Sequence, residues 1–212
     1  MTTVRLGPEV DAFTSNDGVG GDWWPCERIR GPQMRLEGHG VVLRPLEETD
    51  LEHWREWVND PEIAGYLDRV LPVSRPEHRR FFELAVIGNQ RAVWFALERP
   101  GVPPRDYIGN AWLWDIDQRH RRAEVRILIG ERSSWGTGVG TEALRLLSAY
   151  AFEKLGLHKL YAYVHARNPR GAAAFRKAGY VEEARLREEA FWDGAYDDVL
   201  RFGLWRPTAQ NQ

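Results

Sequence analysis

One cysteine, Cys26, stands in a chain of 212 residues, which excludes an internal disulfide framework and a cysteine metal cluster. A lone thiol suits a reducing compartment, so the expected location is the cytoplasm. Neither charge sign is in excess: 29 Lys and Arg face 31 Asp and Glu, for a net charge of −2, and the basic residues form no stripe. Contacts along a phosphate backbone need such a stripe, so no nucleic-acid partner is expected. No apolar run reaches the roughly 20 residues of a membrane span, and the N-terminus lacks the apolar stretch of a secretory signal. No membrane association and no metal are expected.

The 43% apolar and 28% charged fractions are those of an ordinary globular protein, and the length suits one domain with an appended segment. Ten Trp is the exception; they fill a core or line an aromatic cleft. Residues 1–37, including "TSNDGVGGDWWPC", are dense in Gly, Asp, Ser and Pro without periodicity and read as a loop-rich, partly disordered extension. Residues 38–207 carry regular patterns and form the domain, and residues 208–212 are a short tail.

Within the domain, "GVVLRPL" reads as a strand, and Thr49 or Asp50 caps a helix that places Leu51, Trp54, Trp57 and Val58 on one face. Two short helices follow, one after Asn59-Asp60-Pro61 and one opened by Ser74 and Pro76. "RAVWFALE" and "YIGNAWLWDID" form a hairpin, and "RAEVRILIG" is a further strand. "VGTEALRLLSAYAFEKLG" is an amphipathic helix ended by Gly156, "HKLYAYVHA" a strand, and "NPRGAAAFRKAG" a short helix with Asn168 as N-cap. Two strands around "WDGAYD" close the chain. The fold class is α+β, a mixed central sheet of about seven strands flanked by helices.

"SSWGTGVGTEAL", residues 133 to 144, packs three glycines into five positions between a strand and a helix. Free N–H groups and the positive helix terminus there suit an anion, phosphate above all. The Walker pattern fails, because Thr141 and Glu142 follow Gly140 where Lys is required. The dinucleotide fingerprint fits as Gly138, Gly140 and Ala143 but belongs after the first strand, not the fourth. A plain tight turn needs one glycine.

The loop and its neighbours resemble the GNAT acyl-CoA transferases. That family's diphosphate loop reads Gln/Arg-x-x-Gly-x-Gly/Ala, and Trp135-Gly136-Thr137-Gly138-Val139-Gly140 matches it except at Trp135. Trp in that position resembles the branch typified by the Rim ribosomal-protein acetyltransferases, which the spermidine and amino-sugar-nucleotide acetyltransferases share. "RRAEVRILIGERSSWGTGVGTEAL", "HKLYAYVHARNPRGAAAFRKAGY" and "REEAFWDGAYDDVLRFGL" match in order and spacing, so the resemblance spans residues 40 to 206.

The resemblance implies a GNAT fold with two splayed central strands, at Leu128 and Tyr161, forming an acyl-CoA slot. It implies acetyl-CoA as the acyl donor, a primary amine as the acceptor and a homodimer. Ile127, Leu128 and Ile129 would pair their backbone with the pantetheine arm. Arg132, Trp135, Gly136, Thr137, Gly138, Val139, Gly140 and Thr141 would hold the diphosphate. Asn168 would bond the pantetheine, Phe175 would face it, and Arg176 or Arg170 would reach the phosphates. Asn168 is also a plain N-cap.

Acetyl transfer to an amine needs a held thioester, a neutral amine, an oxyanion stabiliser and a proton for the leaving thiolate. Glu124 alternates onto the face of Arg126 and Leu128, and the resemblance assigns it the base, with Glu188 and Glu189 as weaker candidates; an ion pair with Arg126 or Arg122 is the alternative. His120 and His165 can titrate or be structural. Phe175 takes the place of a family Tyr that protonates the thiolate, leaving Tyr161, Tyr163 or water. Asp60, Glu62, Asp68, Asp193, Asp197 and Asp198 can attract a cationic amine or serve local turns, and Trp112, Trp114 and Trp192 can line a cleft or pack. The reading is an N-acetyltransferase acting on a protein N-terminus, an amino sugar or a polyamine. Its alternatives are a non-catalytic acyl-CoA-binding module, transfer of a longer acyl group such as succinyl, and, distantly, a dinucleotide oxidoreductase.

Overall fold

The computed structural model describes residues 34–67, 72–101 and 106–207. Most of the N-terminal extension with Trp23 and Trp24, the acidic candidate Asp68 and the tail from residue 208 lie outside the described residues. Eight strands form one sheet in the order β1-β2-β3-β4-β5-β6-β8-β7. They are β1 (Leu36–Gly38), β2 (Val41–Pro45), β3 (Val93–Glu98), β4 (Tyr107–Asp117), β5 (Arg122–Ile129), β6 (Lys159–His165), β7 (Val181–Trp192) and β8 (Ala195–Trp205). The helices are α1 (Leu51–Val58), α2 (Pro61–Ala64), α3 (Arg75–Phe81, continued by a π-helical turn to Ile87), α4 (Val139–Glu153) and α5 (Pro169–Lys177).

The sheet has eight strands where about seven were expected from the sequence. The extra strand is β1, whose Leu36 and Glu37 were assigned to the extension. His39 and Gly40, the latter with φ +71°, turn β1 back onto β2, and the three residues of β1 are too few to show a period-2 pattern. Thr49 or Asp50 was expected to cap α1, and Asp50 holds the N-cap position but makes no side-chain cap bond. Its buried carboxylate instead takes two hydrogen bonds from Arg44, at 2.7 and 2.8 Å, and accepts from the Glu47 N–H. Ser74 does cap α3, in a reciprocal pair with Glu77.

Apolar residues fill both faces of the sheet. One core gathers Leu43, Phe95, Leu97, Leu113 and Phe202 against Leu146 and Leu147 of α4. The other packs Trp54, Trp57 and Phe82 against Trp94, Trp112 and Leu128, with Trp94 and Trp112 stacked 4.4 Å apart at 9°. These four buried tryptophans are core, as one of the two sequence readings had it. No helix among the described residues is long and apolar enough to cross a membrane.

Candidate active site

Strand β5 is treated differently by its two neighbours. It pairs antiparallel with β4 from Arg122 to Ile129, but parallel with β6 at only three positions, Arg122–Lys159, Ala123–Leu160 and Glu124–Tyr161. β6 then turns to β8 for its full length, so the edge of β5 from Val125 to Ile129 is left open. Gly130 donates its N–H to Ile108, which fixes the alternation: even-numbered residues bond β4, and Val125, Ile127 and Ile129 aim their N–H and C=O into the gap, where the Ile129 carbonyl is taken by the Trp135 indole N–H. An unpaired strand edge is a template for another extended chain.

Glycines also let the neighbours of β5 approach it closely at its end. A Cβ on Gly109, opposite Ile129, would lie 2.0 Å from the carbonyl oxygen of Leu128, so β4 comes this close only as glycine. A Cβ on Gly130 would lie 1.9 Å from the Trp57 ring, which packs flat on the backbone where β5 ends.

The loop that follows leads into α4. Gly136 and Gly138 have φ of +75° and +94°, values that favour glycine, and a Cβ on either would meet nothing within 4 Å. Gly138 is the N-cap and supplies no side-chain cap, leaving the first-turn N–H groups of α4 to a ligand. A Cβ on Gly140 would make only ordinary contacts, at 3.9 and 4.0 Å, with Ile129 and Ile127. The buried Ser134 hydroxyl has no hydrogen-bond partner and borders the same space.

A cleft of about 1180 Å³ runs from this loop past the open β5 edge to the β7–β8 hairpin. It brings together Glu124, Tyr163, Glu189, Ile127, Leu128, Ile129, Trp135, Gly136, Gly138, Gly140, Thr141, Asn168 and Phe175. Asn168 keeps both roles open: its Oδ1 accepts from the Gly171 N–H at 2.8 Å and its side chain borders the cleft. Phe175 is buried, stacked on Phe202 and edge-on to Tyr180.

The other four assigned side chains face elsewhere. Val139 is in the core at 5% exposure. The Thr137 hydroxyl donates to the Ser134 carbonyl, and Arg176 pairs with Glu182 at 2.6 Å. Arg132 pairs with Asp60 at 2.7 Å and Glu62 at 2.8 Å. Partial burial opposes ionisation of Asp60, but the bonds from Arg132 and the Glu62 N–H outweigh it and hold the carboxyl below its usual range.

Glu124 is buried at the last β5–β6 pair, and its carboxylate is gripped by Arg126 through Nε at 2.6 Å and Nη2 at 2.9 Å. The Arg126 guanidinium lies 5.7 Å over Trp114. Across the strand, burial and then the charge of Glu124 push the Tyr161 phenol above its usual range, so it keeps its proton. Tyr161 does not border the cleft; Tyr163 does, and it is exposed. Glu189 reaches the cleft from a bulge in β7, where the register slips between Leu186 and Ala190 and Glu188 has φ +53°.

Arg167 organises the far end, and sequence reasoning missed it. Its Nη2 donates to the Gly65 carbonyl at 2.5 Å, and its guanidinium lies 5.7 Å over Tyr66 and 5.3 Å over Trp192. Asp197 sits 3.5 Å from its Nε and 3.4 Å from Nδ1 of His165. Arginine flanked by His and Asn in a strand-to-helix turn carries no periodic signal. Trp114 and Trp192, half-buried, border the cleft as one sequence reading had it; Trp112 borders it from the core.

A family model described as an acetyltransferase (GNAT) domain matches residues 41–181. The chain belongs to the GNAT acetyltransferase family. The spermidine N(1)-acetyltransferase of Escherichia coli is 31% identical over 173 residues, covering 79% of this chain and 87% of that protein. A putative ribosomal N-acetyltransferase of Bacillus subtilis is 30% identical over 166 residues, 77% of this chain and 90% of that one. The crystal structure of the Vibrio cholerae spermidine N-acetyltransferase with CoA and spermine superposes with a TM-score of 0.71 at 30% identity, over 78% of this chain and 95% of that one. This GNAT enzyme is thus an N-acetyltransferase with acetyl-CoA as its acyl donor. The gap fits such a donor: an open strand edge for a pantetheine arm and an uncapped helix start for its phosphates. Among the described residues, no three His, Cys, Asp or Glu side chains gather to hold a metal.

Proposed function

We propose that this acetyltransferase moves the acetyl group directly to the primary amine of a small molecule, with Glu124 as the base. The observation that carries the reading is the position of Glu124, buried at the point where β5 and β6 part and bordering the cleft. A thioester lying along the open edge would end there, beside the carboxylate. Glu124 takes the ammonium proton through a water, once Arg126 shares one of its oxygens. Tyr163 serves as proton donor to the departing thiolate, since Phe175 has no proton to give; Glu189 meets the acceptor from the hairpin side.

The relatives support a polyamine such as spermidine as the acceptor, and with it the branch that the spermidine and Rim-type enzymes share. Trp114, Trp192 and Tyr66 line the acceptor end, where an alkylammonium would share or displace the Arg126 and Arg167 guanidinium groups over these rings. The same reading makes the enzyme a cytoplasmic homodimer. Thiol release from acetyl-CoA, followed with spermidine, monoamines, amino sugars and short peptides, tests it. Turnover with an amine that Glu124→Gln abolishes supports the reading. Tight CoA binding without turnover on any amine would overturn it.

A further inference from the structure

Arg170, at the second position of α5, lays its guanidinium 3.8 Å from the centre of the Trp135 ring. The ring is itself fixed, because the indole N–H donates to the Ile129 carbonyl at 2.8 Å. The stack therefore bridges the gap between the glycine loop and the start of α5. Arg170 differs from the other arginines near the loop. Arg132 also lies over the Trp135 ring, at 5.6 Å, but is committed to Asp60 and Glu62, and Arg176 is committed to Glu182. Arg170 is exposed, borders the cleft and has no carboxylate partner among the described residues.

Stacking on an aromatic face holds a guanidinium without using any of its N–H donors. The free edge of the fork then suits two oxygens of a phosphate group. Next to it lie the uncapped N–H groups at the start of α4 and the buried Ser134 hydroxyl, which has no partner. The cleft borders all of them. We infer that Arg170, positioned by Trp135, is the side-chain cation that binds the diphosphate of the acyl donor. Trp135 occupies the place where the loop pattern has Gln or Arg, and its ring holds a positive charge that comes from α5. The donor is accordingly selected for its diphosphate as well as its pantetheine arm. The inference rests on the reading that the loop receives acetyl-CoA.

Calorimetric binding of CoA by the full chain tests it without any acceptor amine. Arg170→Gln should weaken CoA about tenfold, Trp135→Leu by a similar factor, and the double variant no further than the worse single. Acetyl-pantetheine, which lacks the diphosphate, should bind wild type and Arg170→Gln with the same Kd in the same calorimeter. Arg170 is exposed, so its variant folds; unchanged thermal unfolding confirms that. An Arg170→Gln affinity for CoA within twofold of wild type, or an equal loss for acetyl-pantetheine, overturns the assignment. Absence of CoA binding by the wild type would instead sink the proposed function on which it rests.

Discussion

At the donor end of the cleft the ligand-facing groups are mostly backbone: the edge of β5 from Val125 to Ile129 and the uncapped start of α4. At the acceptor end they are side chains, and apart from Glu189 the carboxylates named there are engaged by the protein's own basic groups. Glu124 is held by Arg126, Asp60 and Glu62 by Arg132, Asp198 by Arg185, and Asp197 lies between Arg167 and His165. Backbone presents the same groups whatever the sequence, so it suits a ligand that does not change. A side-chain lining can be rewritten one residue at a time, and it suits the variable partner. An amine entering here competes with a guanidinium for each of these paired carboxylates, and with Arg126 or Arg167 for the faces of Trp114, Trp192 and Tyr66, which leaves Glu189 as the anion it can take without breaking an ion pair.

If the two ends are built so differently, they should fail differently. The largest effect is expected at Glu124, where they meet: Glu124→Gln should lower kcat by about 10²- to 10³-fold and leave the affinity for CoA within twofold. Steady-state kinetics beside calorimetry separate the two. At the donor end, adding atoms does the damage. Gly109→Ala should destabilise the fold by about 3 kcal/mol in urea unfolding, since the Leu128 carbonyl 2.0 Å away is backbone and cannot step aside. Gly138→Ala, at φ +94°, should raise the KM for acetyl-CoA roughly tenfold through about 1–2 kcal/mol of strain. At the acceptor end, removing a head group does it. Arg167→Gln should shift the KM for the amine about fivefold and leave that for acetyl-CoA alone. The smallest effect belongs to Gly140→Ala, within twofold in every parameter, because a Cβ there has room. A change in acetyl-CoA KM for Arg167→Gln equal to that of Gly138→Ala would erase the distinction between the ends.

Sequence reasoning reached the donor end for the same reason that the donor end is backbone. A split strand followed by glycines and a helix leaves marks in local pattern, and the strand, loop and helix from Arg122 to Glu153 stand where the pattern put them. The side chains around that loop were less legible. Val139 follows a helical period and is core, while Arg132 turned away because Asp60 and Glu62 lie within reach across a separation no local pattern encodes. Arg167 and its partners Gly65, Tyr66, Trp192 and Asp197 come from three segments brought together by the sheet order. Glu124 was read with two possible roles, base or partner of Arg126; the ion pair is present, and it leaves the base role to experiment.

The claim that joins these observations is that the open edge of β5 holds the acyl donor with its thioester at Glu124. A crystal structure with acetyl-CoA measures this directly. The account predicts the diphosphate on the loop from Ser134 to Thr141, pantetheine amides bonded to the backbone of Val125, Ile127 or Ile129, and the acetyl group between Glu124 and Tyr163. A complex in which the pantetheine lies off the β5 edge, or the acetyl group is remote from Glu124, would contradict it.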